Sequence, residues 1–122
     1  MRALENTPRA TTKAPSSDSE NGRPINLAHL ARQTMGDRSL EQEVLKLFVK
    51  QALAGRDAIL AASGTDRRRL AHGLKGSARS IGAFALADCL QVIEDDPTSL
   101  GDVKRVSPLV EDVCDFVAAI SR

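Results

Sequence analysis

The chain has 122 residues, with 17 Lys and Arg against 16 Asp and Glu, 42% hydrophobic residues and 2% aromatic ones; that length suits one domain. Two Cys exclude a disulfide-built scaffold, no apolar run approaches the roughly 18 residues of a membrane span, and the N-terminus lacks the apolar stretch of a signal peptide. A net charge of +1 and the absence of Tyr and Trp argue against a chain that grips nucleic acid by bulk charge or stacks its bases, so a small soluble, cytoplasmic protein is expected.

Residues 1–24 hold Pro8, Pro15 and Pro24, many Ser and Thr, and few large apolar side chains. Such a segment buries too little surface to offset its ordering entropy, which predicts a disordered polar tail followed by one domain over 25–122. Asn26 is placed to cap a short helix to about Met35, with Leu27 and Leu30 on one side. A longer helix is expected from Ser39, with Gln42 as its capping-box partner. It carries Leu40, Val44, Leu47, Phe48 and Leu53, runs on through Ile59 and Leu60, and stops at Gly64. Thr65 or Asp66 would cap a third helix reaching Ile81, ended by Gly82. A fourth, Ala83 to about Asp95, has Leu86, Leu90 and Ile93 as its stripe and Pro97 beyond its end. The last runs from about Leu100 to Ile120 with Val103, Val106, Val110, Val113 and Val117 at spacings of three and four; Pro108 predicts a kink or a late start. No segment alternates with period two. Short links between amphipathic helices favour an all-α, antiparallel up-down four-helix bundle with an additional short N-terminal helix. A bundle with its own core needs no partner, and a monomer is expected.

The third helix carries the chemistry. With His72 set at zero and about 100° per residue, Leu70, Leu74, Ala78 and Ile81 fall at roughly 160°, 200°, 240° and 180°, opposite the histidine, while Arg68, Lys75, Gly76 and Arg79 lie within about 60° of it. His72 is therefore expected to face water among cations. Residues 66–81 carry five cations (Arg67, Arg68, Arg69, Lys75, Arg79) against Asp66 alone, whereas 82–122 carry eight anions and three cations, so the neutral total hides a basic patch. Gly73 and Gly76 each weaken the helix by roughly 1 kcal/mol relative to Ala. Gly76, one turn beyond His72, leaves the ring uncovered for the approach of another molecule. Acid–base catalysis would need a pocket, and metal binding more ligands than His29 adds. Nucleophilic chemistry at phosphorus fits better: imidazole is largely neutral at pH 7 and attacks without a base. Lys75 and Arg79 would neutralise the oxygens of an arriving phosphoryl group.

The string A-H-G-L-K-G-S-A-R-S-I-G-A from Ala71 to Ala83, with Leu86, Ala87 and Glu94 after it, resembles the histidine phosphotransfer (HPt) domain family of two-component phosphorelays. The resemblance spans about 26–120. It implies a bundle whose exposed His72 accepts a phosphoryl group from a receiver-domain aspartate and passes it to another receiver, with Lys75 supporting the phosphoryl oxygens and Gly76 allowing close docking. Family members commonly carry a Gln or Glu on the next helix to orient the imidazole. Glu94 matches: His72 lies ten residues before Gly82 and Glu94 twelve after, heights of about 15 and 18 Å on antiparallel helices. Glu94, with Arg79 in support, is assigned to orient and assist His72. Arg68, Arg69 and Phe84 are assigned to docking, and the triple Arg67-Arg68-Arg69 reads as a surface for acidic receiver faces.

No G-x-x-x-x-G-K-[ST] or other glycine-rich nucleotide loop is present. The chain is read as a phosphoryl carrier without an ATP site or autokinase activity. It needs no cofactor, Mg²⁺ being supplied by the partner receiver domain. The expected partners are receiver domains of response regulators or hybrid histidine kinases. The alternative is a receiver-docking interaction module without phosphoryl acceptance, which the intact H-x-x-K-G disfavours. A nucleic-acid-binding helix using Arg67 to Arg79 is disfavoured by the acidic fourth and fifth helices. Cys89, Cys114, Met35 and Phe48 are read as packing residues, His29 as a surface residue of the first helix, Phe116 as partly exposed, and Ser77 and Ser80 as small residues for helix packing.

Overall fold

The computed structural model describes residues 23–121, which form five helices and no strand. These are α1 (Leu27–Gln33), α2 (Arg38–Ala61), α3 (Gly64–Ile81), α4 (Phe84–Asp95) and α5 (Leu100–Ile120). Links of two to four residues join α2 to α5 in succession, which makes consecutive helices antiparallel neighbours. α2 packs on α3 and α5, and α4 on the same two, so four helices close around one core while α1 lies against α3. The bundle with a short leading helix is therefore present as expected. Its core is aliphatic: Leu45, Phe48 and Ile59 from α2, Leu74, Ala78 and Ile81 from α3, Leu86, Leu90 and Ile93 from α4, and Val106, Val110 and Val113 from α5. Of the segment expected to be a tail, residues 1–22 lie outside the described residues.

Several local expectations are corrected. Asp37, not Ser39, caps α2: its carboxylate accepts the Leu40 N–H at 3.0 Å. α3 opens at Gly64 after Ser63, so Thr65 and Asp66 lie inside its first turn, where an acid favours the positive helix end. Along α2 the buried residues are Leu45, Phe48, Ala52 and Ile59. Leu40, Leu47, Leu53 and Leu60 are exposed, because they fall off the three-and-four spacing that the core face follows. Met35 is 92% exposed at φ +53°, in the turn between α1 and α2 rather than in the core. α5 starts at Leu100 and runs through Pro108. Pro108 lies on the exposed side, and the carbonyl it leaves unpaired, that of exposed Lys104, is within reach of water.

The α3–α4 turn fixes how the site is presented. Gly82 sits at φ +89°, the left-handed region that a side chain disfavours. There Ala83 N–H returns to Ala78 O at 2.8 Å and Gly82 N–H to Arg79 O at 3.2 Å, a Schellman closure. Asn26 N–H donates to Gly82 O at 2.9 Å, and a Cβ on Gly82 would meet Asn26 O at 2.8 Å. The turn is thus also the seat of the segment leading into α1.

Candidate functional site

α3 presents one face to the core and the opposite face to water. Ala71, Leu74, Ala78 and Ile81 are buried; His72 points the other way, its side chain 68% exposed. A Cβ built on Gly73 or Gly76 would meet nothing within 4 Å, so the ring stands clear of its own helix. On the α2 side, a shallow groove runs along Val44, Leu47 and Gln51 with Gly76, Ser77 and Ser80 across it.

On the other side lies α4. The two-residue turn returns the chain so that Glu94 meets His72. His72 Nδ1 lies 2.8 Å from Glu94 Oε2. Lys75 Nζ donates to Glu94 Oε1 at 2.6 Å and to Gln91 Oε1 at 2.9 Å, and Arg68 Nε donates to the Glu94 backbone carbonyl at 2.9 Å. The Lys75 ammonium, then the hydrogen bond from His72, holds the Glu94 carboxyl below the usual carboxylate range. An ionised carboxylate only accepts, so the neutral ring carries its proton on Nδ1 and presents the Nε2 lone pair to solvent. One ring nitrogen thus faces outward while the other is held from behind.

The cations around His72 do not share one role. Lys75 is not an exposed cation beside the ring; its side chain is 11% exposed and engaged twice on α4, its stem filling the α3–α4 seam. Arg69 is exposed and paired with Asp66 at 2.6 Å. Arg79 is exposed in the last turn of α3, two helical turns from His72. Arg67 leaves the expected basic surface altogether. It is buried, its Nε donating to Ile59 O at 2.9 Å and its Nη1 to Pro97 O at 2.9 Å, so it closes the C-terminal end of α2 onto the α4–α5 link. Helical geometry carries this signal: Arg67 falls at about 220° from His72, in the middle of the buried stripe. Phe84 is half-buried at the start of α4, its ring edge-on to His29 with centroids 5.1 Å apart. His29 is accordingly not a plain surface residue. Gln91 escaped the reading of the sequence, although it lies one turn before Glu94 on the same helix face. Cys89 is buried and Cys114 half-buried, both free, and burial pushes each thiol up.

A family model described as Hpt domain matches residues 43–121, more than half of the chain. The chain belongs to the Hpt domain family. The match begins inside α2 and takes in all of α3, α4 and α5, so the entire His72–Glu94–Lys75 constellation lies within the Hpt domain while α1 precedes it. No curated protein and no solved structure matches the sequence. Membership carries a histidine phosphotransfer role in phosphorelays. Among the described residues no helix is long and apolar enough to cross a membrane, and no group of three or more His, Cys, Asp or Glu is placed to hold a metal ion.

Proposed function

We propose that this Hpt domain carries a phosphoryl group on His72 Nε2 between aspartates of receiver domains, those of response regulators or hybrid kinases. The observation that carries the reading is an imidazole 68% exposed with Nδ1 held 2.8 Å from a carboxylate, which leaves only Nε2 to react. In the forward step the Nε2 lone pair attacks the phosphorus of an aspartyl phosphate. The N–P bond forms as the P–O bond to the aspartate breaks, and the bonding pair leaves with the carboxylate. The ring gains positive charge as it attacks, and Glu94 across the Nδ1–H bond stabilises that charge. The second transfer reverses the bonds on another aspartate. Such loose in-line transfer asks mainly for position and charge compensation.

Gly76 admits the partner's surface, Lys75 holds the Glu94 carboxylate in place behind the ring, and Arg79 and Arg68 extend the positive field that attracts an acidic receiver face. The metal ion for the chemistry belongs to the receiver's aspartate site. The chain acts as a carrier without nucleotide chemistry of its own, as a monomer.

The test is incubation with a phosphorylated receiver domain, followed by measurement of label on the Hpt domain. Acid-labile, base-stable label that disappears in His72→Gln is expected. Label that persists in that variant excludes His72 as the acceptor. A receiver that binds without transferring label would make the protein a docking module instead.

A further inference from the structure

The hydrogen bonds behind His72 do not end at Lys75. Gln91 accepts from Lys75 Nζ at 2.9 Å, and its own amide nitrogen donates to Asp95 Oδ1 at 2.9 Å. Each link has one chemically allowed direction. Asp95 is acceptor-only when ionised, so Gln91 turns its NH₂ toward it. That leaves Oε1 to receive Lys75, which is donor-only. Lys75 gives a second proton to Glu94 Oε1, and the other oxygen of that carboxylate requires a donor from His72. The chain is ordered from an exposed acid on α4 to the reacting ring on α3. The Gln91 amide is its neutral middle, oriented by Asp95 on one side and Lys75 on the other.

We propose that Gln91 is a positioning residue which, braced by Asp95, seats Lys75 on Glu94 and so fixes the His72 proton on Nδ1 and the free lone pair on Nε2. The inference rests on the carrier reading for its purpose, while its physical content concerns the unphosphorylated ring. Gln91 never reaches the phosphoryl group; it acts through Lys75 and Glu94. Without it, Lys75 keeps one partner of two and the Glu94 carboxylate loses the contact that fixes its rotation. The ring then populates the tautomer with the proton on Nε2, which cannot attack.

The experiment is nitrogen NMR of the His72 ring in mildly alkaline buffer, where imidazole is neutral, for the full chain and for Gln91→Leu and Asp95→Ala. Both changes lie on side chains at the bundle surface, and thermal unfolding shows whether each variant keeps its fold. The wild type is expected to show Nδ1 protonated. Gln91→Leu should shift the population toward Nε2–H and slow transfer from a phosphorylated receiver about fivefold, the worth of one net hydrogen bond. Asp95→Ala should move the ring signals the same way by less. A merely structural role would lower the unfolding midpoint without moving those signals. Ring signals in Gln91→Leu identical to wild type overturn the proposal, whatever the transfer rate. Absence of label on wild-type His72 overturns the carrier reading instead, so the two fail on different measurements.

Discussion

The protein has two histidines in contrasting settings. His72, in the α3–α4 seam, is mostly exposed, yet its Nδ1 is met by a carboxylate that is itself held by Lys75. His29, where α1 covers the start of α4, is half-buried against Phe84, and its Nε2 is buried with no hydrogen-bond partner among the described residues. The polar contacts are thus built around the ring that water would have satisfied and are missing from the ring that water does not reach. Solvation cannot explain that distribution, because an exposed imidazole needs no protein partner. Direction can: the seam network orients a ring, whereas the α1 cap only packs one. The seam is specified by chemistry and the cap by shape.

The largest effect is expected at Gly82, which belongs to the seat of the segment before α1 and not to the side-chain network of the seam. Gly82→Ala places a methyl group 2.8 Å from the Asn26 carbonyl oxygen, a backbone atom, at φ +89°. Left-handed strain and displacement of the segment before α1 together amount to roughly 3 kcal/mol. For a domain of this size the unfolding midpoint should fall by about 12 °C or more. Folded Gly82→Ala should still show the wild-type His72 ring signals. An unchanged midpoint would mean that α1 is not seated through this turn; altered ring signals would mean that cap and seam are one unit.

How much of this was legible in the sequence follows the same division. The helical period placed all five helices, because aliphatic residues three and four apart must share a face to leave water. It also placed His72 outward, since Leu74, Ala78 and Ile81 claim the opposite side. The Glu94 pairing was approachable because a two-residue turn makes heights along two antiparallel helices comparable. The rest was hidden for physical reasons. Arg67 reads as one more surface cation until its position in the buried stripe is weighed above its charge, and only the tertiary arrangement shows the Ile59 and Pro97 carbonyls that receive it. Lys75 reads as an exposed cation because a long aliphatic stem can lie in a seam while its charge finds partners on another helix. The edge-on contact of His29 with Phe84 is hidden as well, because nothing local brings α1 to the start of α4.

The second test removes the anomaly in the cap. His29→Phe keeps an aromatic ring for the edge-on contact with Phe84 and deletes the unpartnered buried nitrogen. Leaving such a group unsatisfied costs about 1–3 kcal/mol, and the aromatic pair survives the exchange. A rise of about 1–2 kcal/mol in stability is expected, with phosphoryl transfer unchanged. A fall in the unfolding midpoint would show that Nε2 holds a partner such as an ordered water, and the contrast between the two histidines would shrink to one of exposure alone.

The smallest stability change is expected at Gly76, and it separates folding from function most cleanly. The position is helical and exposed, and a Cβ there meets nothing within 4 Å. Gly76→Ala should therefore stabilise the helix by up to about 1 kcal/mol, the propensity difference alone. Gly73→Ala on the same helix faces equally open space and should stabilise as much. Their effects on transfer should differ, because Gly76 lies one turn from His72 on the ring's own face, at about 40° against 100° for Gly73. A methyl at Gly76 stands between the ring and an incoming surface, so transfer should slow while the unfolding midpoint rises; at Gly73 the midpoint should rise with less loss of rate. Equal rates in the two variants would show that the partner does not approach over Gly76. The open space there would then be a property of the helix and not of the docking face.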